Sequence, residues 1–106
     1  MDSAEYVRRV LDAYRATPGA CGAVRKPDRV LAAQLFTRGV PVTVVEQALV
    51  LAAARRLARP VDAPPLGVIR SLAYFAPVID EVLASPVGDA YFHYLRQRLS
   101  RLIGRS

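Results

Sequence analysis

The segment 42–54 limits what this chain can fold into, because it is almost entirely apolar. Its residues, VTVVEQALVLAAA, include three polar members, and all three lie in its first half. A helix that is apolar on every side belongs at the centre of a bundle, where neighbouring helices cover it. Arg55 and Arg56 follow in the last turn, where the negative end of the helix dipole favours cations. We therefore expect a central helix whose C-terminal end reaches water.

Capping residues and proline predict where the first three helices begin. Asp2 or Ser3 can cap a first helix, and Pro27 suits the first position of a second one. Thr43 and Glu46 have the spacing of a capping box at the start of the third helix. The first helix is expected to bury Val7, Val10, Leu11 and Tyr14, and the second to bury Val30, Leu31, Gln34 and Leu35 before it ends at Gly39.

The second half of the chain is divided by a proline-rich linker, RPVDAPPLG, which cannot continue a helix. A helix follows over residues 69–84, with Pro77 predicting a kink or a restart. The last helix begins either at Ser85-Pro86 or at Asp89. Its inward residues are expected to be Phe92, Leu95, Leu99 and Leu102 or Ile103. No stretch alternates as a strand does, so we predict one all-α domain, residues 1–106, of about five helices.

The composition indicates a globular chain, with 53% hydrophobic and 23% charged residues in 106. The longest apolar run, residues 48–54, is far shorter than the roughly 20 residues of a membrane span. The first ten residues carry acids and lack the pattern of a secretory signal. We therefore expect a cytoplasmic protein that does not associate with membranes.

The net charge of +6 favours an anionic partner, and arginine's planar fork suits phosphate. The same excess of arginine, with abundant Ala and Val, is also typical of a GC-rich genome. Two clusters are candidates for nucleic-acid contact, and Tyr91 lies beside the second. They are Arg55, Arg56 and Arg59, and then Tyr94, Arg96, Arg98, Arg101 and Arg105. Arginine beside exposed aromatic rings can bind single-stranded nucleic acid. The alternative is that these arginines form charged helix faces that contact only water.

A helix-turn-helix is a further reading of residues 31–50, with Gly39 in the turn. The residues that would reach base edges include Glu46 and no Arg or Lys, although base reading relies on Arg, Lys, Asn and Gln. An ordinary helical hairpin therefore explains this segment better.

Residues suited to catalysis are sparse. His93 is the single histidine and Cys21 the single cysteine, and neither belongs to a recognisable catalytic motif. Asp80 and Glu81 are adjacent, so on a helix they point about 100° apart and do not share a metal ion or a proton. No phosphate-binding loop, metal spacing or dinucleotide motif occurs. We expect a protein without catalytic residues, metal or cofactor.

The run from Gly39 to Leu83 resembles the C-terminal module of DnaD-like replication proteins of bacterial primosomes, phages and plasmids. The resemblance lies in GVPVTVVEQAL, the Ala-rich helix that ends in arginine, and IRSLAYFAPVIDEVL. Tyr74, Val78 and Ile79 match the tyrosine and hydrophobic pair of the family's later helix, and Val82 stands where the family has tryptophan.

The resemblance implies a helical module that binds DNA with little sequence preference and docks onto a replication protein, and it favours DNA over RNA as the partner without excluding RNA. It places Tyr74, Arg96 and Arg98 in the region that the family uses for DNA, and it is compatible with an accessory protein of a mobile element. The alternative is a helical protein-protein adaptor or homo-oligomer, such as a homodimer, whose Ala- and Val-rich surface a partner covers.

Overall fold

The computed structural model describes the backbone of residues 1–104 and the side chains of residues 1–101. Within that part there are five α-helices, one 3-10 turn at Leu72–Phe75 and no strand, which confirms the all-α prediction. The helices are α1 (Ser3–Ala16), α2 (Lys26–Thr37), α3 (Val42–Leu57), α4 (Ala76–Ala84) and α5 (Asp89–Gly104). No helix in the described part is long and apolar enough to cross a membrane.

Helix α3 lies at the centre, as its apolar sequence predicts. It packs against α1, α4 and α5 and against the 3-10 turn. Alanine side chains allow these neighbours to approach closely, because they fill little space between the helix axes. Its buried residues are Val45, Ala48, Leu49, Leu51, Ala52, Ala53 and Ala54. A helix covered in this way is not available to enter a DNA groove, which disfavours the helix-turn-helix reading.

Helix α1 begins as expected, since the Asp2 carboxylate accepts a hydrogen bond from the Glu5 backbone N–H at 2.8 Å. Its buried face consists of Tyr6, Val10, Leu11 and Tyr14. Val7 is only half-buried, and Tyr6 takes the deeper position. The Tyr6 hydroxyl donates to the Val40 carbonyl at 2.7 Å, so this side chain connects α1 to the turn between α2 and α3.

The predicted inward face of α2 is wrong in part. Val30 is 45% exposed and Gln34 is also exposed, whereas Asp28 is only 2% exposed. The Asp28 carboxylate accepts hydrogen bonds from the backbone N–H groups of Arg25, at 2.8 Å, and Leu72, at 2.9 Å. Satisfying these two donors turns the face with Asp28 inward and leaves Val30 outside.

The predicted capping box at α3 is also wrong. The residue before the helix is Pro41, and its carbonyl accepts from the N–H groups of Val44 and Val45 at 3.0 and 3.4 Å. Thr43 therefore lies inside the first turn, two positions after the capping position. Glu46 instead accepts two hydrogen bonds from Arg9, at 2.9 and 3.1 Å.

In the C-terminal half, the starts of the helices were predicted mainly from prolines. Pro77 lies in the first turn of α4, directly after the 3-10 turn, so the predicted restart is confirmed. Of the two possible starts for α5, the structure shows Asp89. The linker forms no helix, and the helix predicted over residues 69–84 does not begin at Ile69, because residue 69 pairs with the loop after α1 instead. Ile69 N–H donates to Gly19 O at 2.7 Å, and Cys21 N–H donates to Ile69 O at 2.8 Å.

Candidate nucleic-acid interface

Helix α5 rests on α3 through one narrow face. Leu95 and Leu99 are buried there and Phe92 is half-buried, in agreement with this part of the predicted face, whereas the side chains of Leu102 and Ile103 lie outside the described residues. The rest of the described helix surface is exposed, and a groove runs along each flank. The α4 groove, between α4 and α5, has a volume of about 470 Å³. The α1 groove, between α1 and α5, has a volume of about 590 Å³.

The outer face of α5 carries two tyrosines and an arginine in contact. The rings of Tyr91 and Tyr94 stack with centroids 6.2 Å apart and planes inclined by 26°. They are 54% and 47% exposed. The Arg98 guanidinium donates to the Tyr94 hydroxyl at 3.4 Å. The i, i+3 and i, i+4 spacings place all three on one helix face, which we call the Tyr-Arg face.

Arg55 approaches this face from α3, since it lines the α4 groove together with Tyr91 and Arg98. Its guanidinium forms a two-pronged pair with Glu81 of α4, with N–O distances of 2.9 and 2.5 Å. Hydrogen bonding to Arg55 lowers the pKa of the Glu81 carboxyl, and the same contact raises the pKa of Arg55. The charge of Arg55 is therefore balanced by a neighbouring carboxylate.

Arg56 points away from α5, although it is the next residue after Arg55. Its guanidinium donates to the Tyr74 hydroxyl at 3.1 Å and to the Gly67 carbonyl at 2.8 Å. Tyr74 lines neither groove beside α5. Arg59 is half-buried just after α3.

The remaining arginines of α5 lie toward the other flank. Arg96 and Arg101 line the α1 groove, and the Arg96 guanidinium lies 5.4 Å from the Phe92 ring centroid. Among the described residues, Arg96, Arg98 and Arg101 form no salt bridge, because the four pairs found there involve other arginines. Arg105 lies outside the described residues.

The structure thus brings together part of the predicted set. Arg55, Tyr94 and Arg98 meet around Tyr91, while Arg56 belongs to a separate contact. The sequence could not reveal that Glu81 balances Arg55, because the two residues are 26 positions apart. Tyr91 has a signal in the sequence, namely its spacing of three from Tyr94.

Metal-binding geometry does not emerge in the described part of the chain. No group of three or more His, Cys, Asp and Glu side chains there is arranged to hold a metal ion. His93 and Cys21 are both exposed and lie on different elements.

Comparison with known proteins adds no relative: no family model matches the chain, and neither does any curated protein or solved structure. The resemblance to DnaD-like modules stays a prediction.

Proposed function

We propose that this protein binds nucleic acid, DNA in the first place, without sequence specificity and without catalysing a reaction. The observation that carries the proposal is the Tyr-Arg face, where the exposed rings of Tyr91 and Tyr94 stack and Arg98 lies against one of them. Aromatic rings of this kind stack on bases, and guanidinium groups bind the phosphates between them.

The charge of α5 supports the same proposal. Its described side chains include Arg96, Arg98 and Arg101 but a single acid, Asp89, in the first turn. Cations without carboxylate partners can displace the counterions that surround a nucleic acid, and their release drives binding at low salt. Contacts of this kind position a protein on the phosphate backbone and do not read sequence.

The cellular role that we propose follows from the resemblance to DnaD-like modules. A small protein that holds DNA and docks onto a replication partner fits replication, or the maintenance of a mobile element. This part of the proposal has its own test: affinity purification with the chain as bait should recover replication proteins, and recovery should persist after nuclease treatment.

Fluorescence anisotropy with labelled single- and double-stranded DNA tests the binding itself. We expect affinity that falls steeply between low and moderate salt. Reversing charge in the double variant Arg98→Glu, Arg101→Glu should weaken binding for all sequences and lower the salt slope by about two. The matched control is Arg8→Glu, Arg29→Glu, two exposed residues that line neither groove beside α5. Absence of binding at low salt, or equal losses in both double variants, would contradict the proposal.

The alternative, an adaptor or homo-oligomer, is tested by light scattering. Helix α3 is already covered within the chain, so an oligomer would have to use another surface. A stable dimer that does not bind DNA would favour this alternative over the proposal.

A further inference from the structure

The two flanks of α5 differ in chemistry, and we propose that the α1 groove binds a small amphipathic anion, an apolar molecule with one negatively charged group. This inference does not depend on nucleic-acid binding. The Tyr-Arg face and the α4 groove share Tyr91 and Arg98, and neither residue lines the α1 groove. Arg96 and Arg101 line the α1 groove and are also among the arginines that the proposed function uses for phosphate contact, so the experiments probe the groove's apolar lining as well as its charge.

The size of the groove fits a small organic molecule. Its volume is about 590 Å³, and sites for such ligands span roughly 300 to 1,000 Å³. Space remains there because α1 presents only the small side chains of Ala13 and Ala16 toward α5. The described parts of α1 and α5 make few direct contacts, since both helices pack on α3.

The floor and walls of the groove are mainly apolar. Helix α3 contributes Leu49, Val50 and Ala53, and Pro18 closes the end of α1. Val50 and Pro18 are only partly covered by the protein. An apolar ligand body of matching shape would remove this surface from water, which favours binding.

The charged groups at the rim select an anion. Arg96 and Arg101 line the groove and form no salt bridge within the described residues. Glu46 is the carboxylate on this lining, and the two hydrogen bonds from Arg9 balance its charge. Gln97 and Ser100 add an amide and a hydroxyl beside the arginines. The combination of an apolar floor and uncompensated guanidinium groups fits a carboxylate, sulfonate or phosphate on an apolar body.

The test uses two dyes that differ in one group: 1-anilinonaphthalene-8-sulfonate and its neutral parent, N-phenyl-1-naphthylamine. Both report binding by fluorescence, and the chain contains no tryptophan that would interfere. We expect the sulfonate to bind about tenfold more tightly than the neutral dye, because a charge-assisted hydrogen bond adds to the shared apolar contact. Arg96→Gln should remove most of this difference, while Arg29→Gln, with the same loss of charge on α2, should retain it.

The location is tested by NMR and by filling the groove. Amide shifts caused by the sulfonate should concentrate at Ala13, Val50 and Ser100. Ala16→Phe should abolish binding of both dyes, whereas Ala4→Phe, at another exposed alanine near the other end of α1, should not. Circular dichroism and thermal unfolding verify that both variants fold.

Three outcomes would overturn the inference: equal affinity for the two dyes, shifts centred away from the α1 groove, or undiminished binding by Ala16→Phe. The DNA affinity of Ala16→Phe is measured in parallel. An unchanged value with loss of dye binding shows that the groove and the Tyr-Arg face act separately, so each proposal can fail without the other.

Discussion

The guanidinium group of Arg56 lies over the ring of Tyr74, 5.6 Å from its centroid, and donates a hydrogen bond to the hydroxyl of the same tyrosine. It also donates to the carbonyl of Gly67, in the linker between α3 and the 3-10 turn. A Cβ at Gly19 would lie 3.2 Å from the Arg56 Nε, so the loop after α1 closes over the same side chain. One arginine therefore joins the end of α3 to the linker, the 3-10 turn and the loop.

Arg56→Ala is expected to lower the free energy of unfolding by about 1 to 3 kcal/mol, since it removes a cation-π contact and two hydrogen bonds. Urea denaturation followed by circular dichroism measures the loss. Arg59→Ala is the matched control, because it removes an equal charge three positions after Arg56 without touching the contacts to Tyr74 and Gly67, and we expect a change within about 0.5 kcal/mol. Equal losses in the two variants would show that Arg56 is not an anchor.

Asp28→Ala is expected to cost about 2 to 4 kcal/mol, because it leaves the Leu72 and Arg25 N–H groups without their acceptor. The carboxylate is buried and joins α2 to the 3-10 turn. Thermal unfolding measures the change, and Asp62→Ala, at an exposed position, is the control. If Asp28→Ala were as stable as the control, the carboxylate would not hold these two elements together.

The burial of Asp28 could not be predicted from the sequence. The period of apolar residues is local, so it predicted the central position of α3, and prolines predicted the start of α4. The partner of Asp28 is Leu72, 44 positions away, and nothing near Asp28 in the sequence indicates that it is buried. The wrong prediction for Glu46 has the same cause. Its spacing from Thr43 suggested a helix cap, but its carboxylate is bound by Arg9, 37 positions away.

The candidate site was predictable to a similar degree. The run of arginines and tyrosines on α5 is visible in the sequence, and helical spacing brings Tyr91, Tyr94 and Arg98 together. The direction of Arg55 and Arg56 was not predictable, because adjacent helix residues diverge by about 100° and their partners come from distant segments.

The buried tyrosines provide a third prediction. The Tyr6 hydroxyl donates to the Val40 carbonyl, whereas the Tyr14 hydroxyl is buried and has no hydrogen-bond partner among the described residues. Tyr6→Phe should therefore cost about 1 to 2 kcal/mol, and Tyr14→Phe should be neutral or stabilising by up to about 1 kcal/mol. Urea denaturation of the two variants gives both values. A greater loss for Tyr14→Phe than for Tyr6→Phe would contradict the assignment.

Tyr14 also predicts how stability depends on alkaline pH. Burial is the main cause that raises its pKa from 10.0 to about 12. Burial favours the neutral phenol in the folded state. Its contribution to stability is therefore complete below the pKa of the unfolded state and is lost as the pH rises through the pKa of the folded state. The stability of the natural sequence should therefore fall between pH 10 and about 12, and the stability of Tyr14→Phe should fall less over the same range. Parallel curves of stability against pH for the two proteins would contradict this cause.

The pair formed by Arg55 and Glu81 predicts a gain in DNA binding. Glu81→Gln removes the carboxylate that balances Arg55 in the α4 groove, beside Tyr91 and Arg98. One more guanidinium then becomes available to phosphate, and the salt slope of DNA binding should increase by about one. Anisotropy titrations over a series of salt concentrations measure this slope.

Asp80→Asn is a close control for Glu81→Gln, because it removes the same charge at the neighbouring position. Asp80 lies 3.6 Å from Arg38, which lines neither groove beside α5. A general effect of net charge would change the salt slope of DNA binding equally in both variants, whereas a site at the Tyr-Arg face requires a larger change for Glu81→Gln.

Acid pH gives an independent measurement of the same pair. Arg55 lowers the pKa of Glu81, so protonation of Glu81 should release Arg55 only as the pH falls through that lowered value. DNA affinity of the natural sequence should then rise toward that of Glu81→Gln, and a constant difference between the two proteins across this range would exclude Arg55 from the interface.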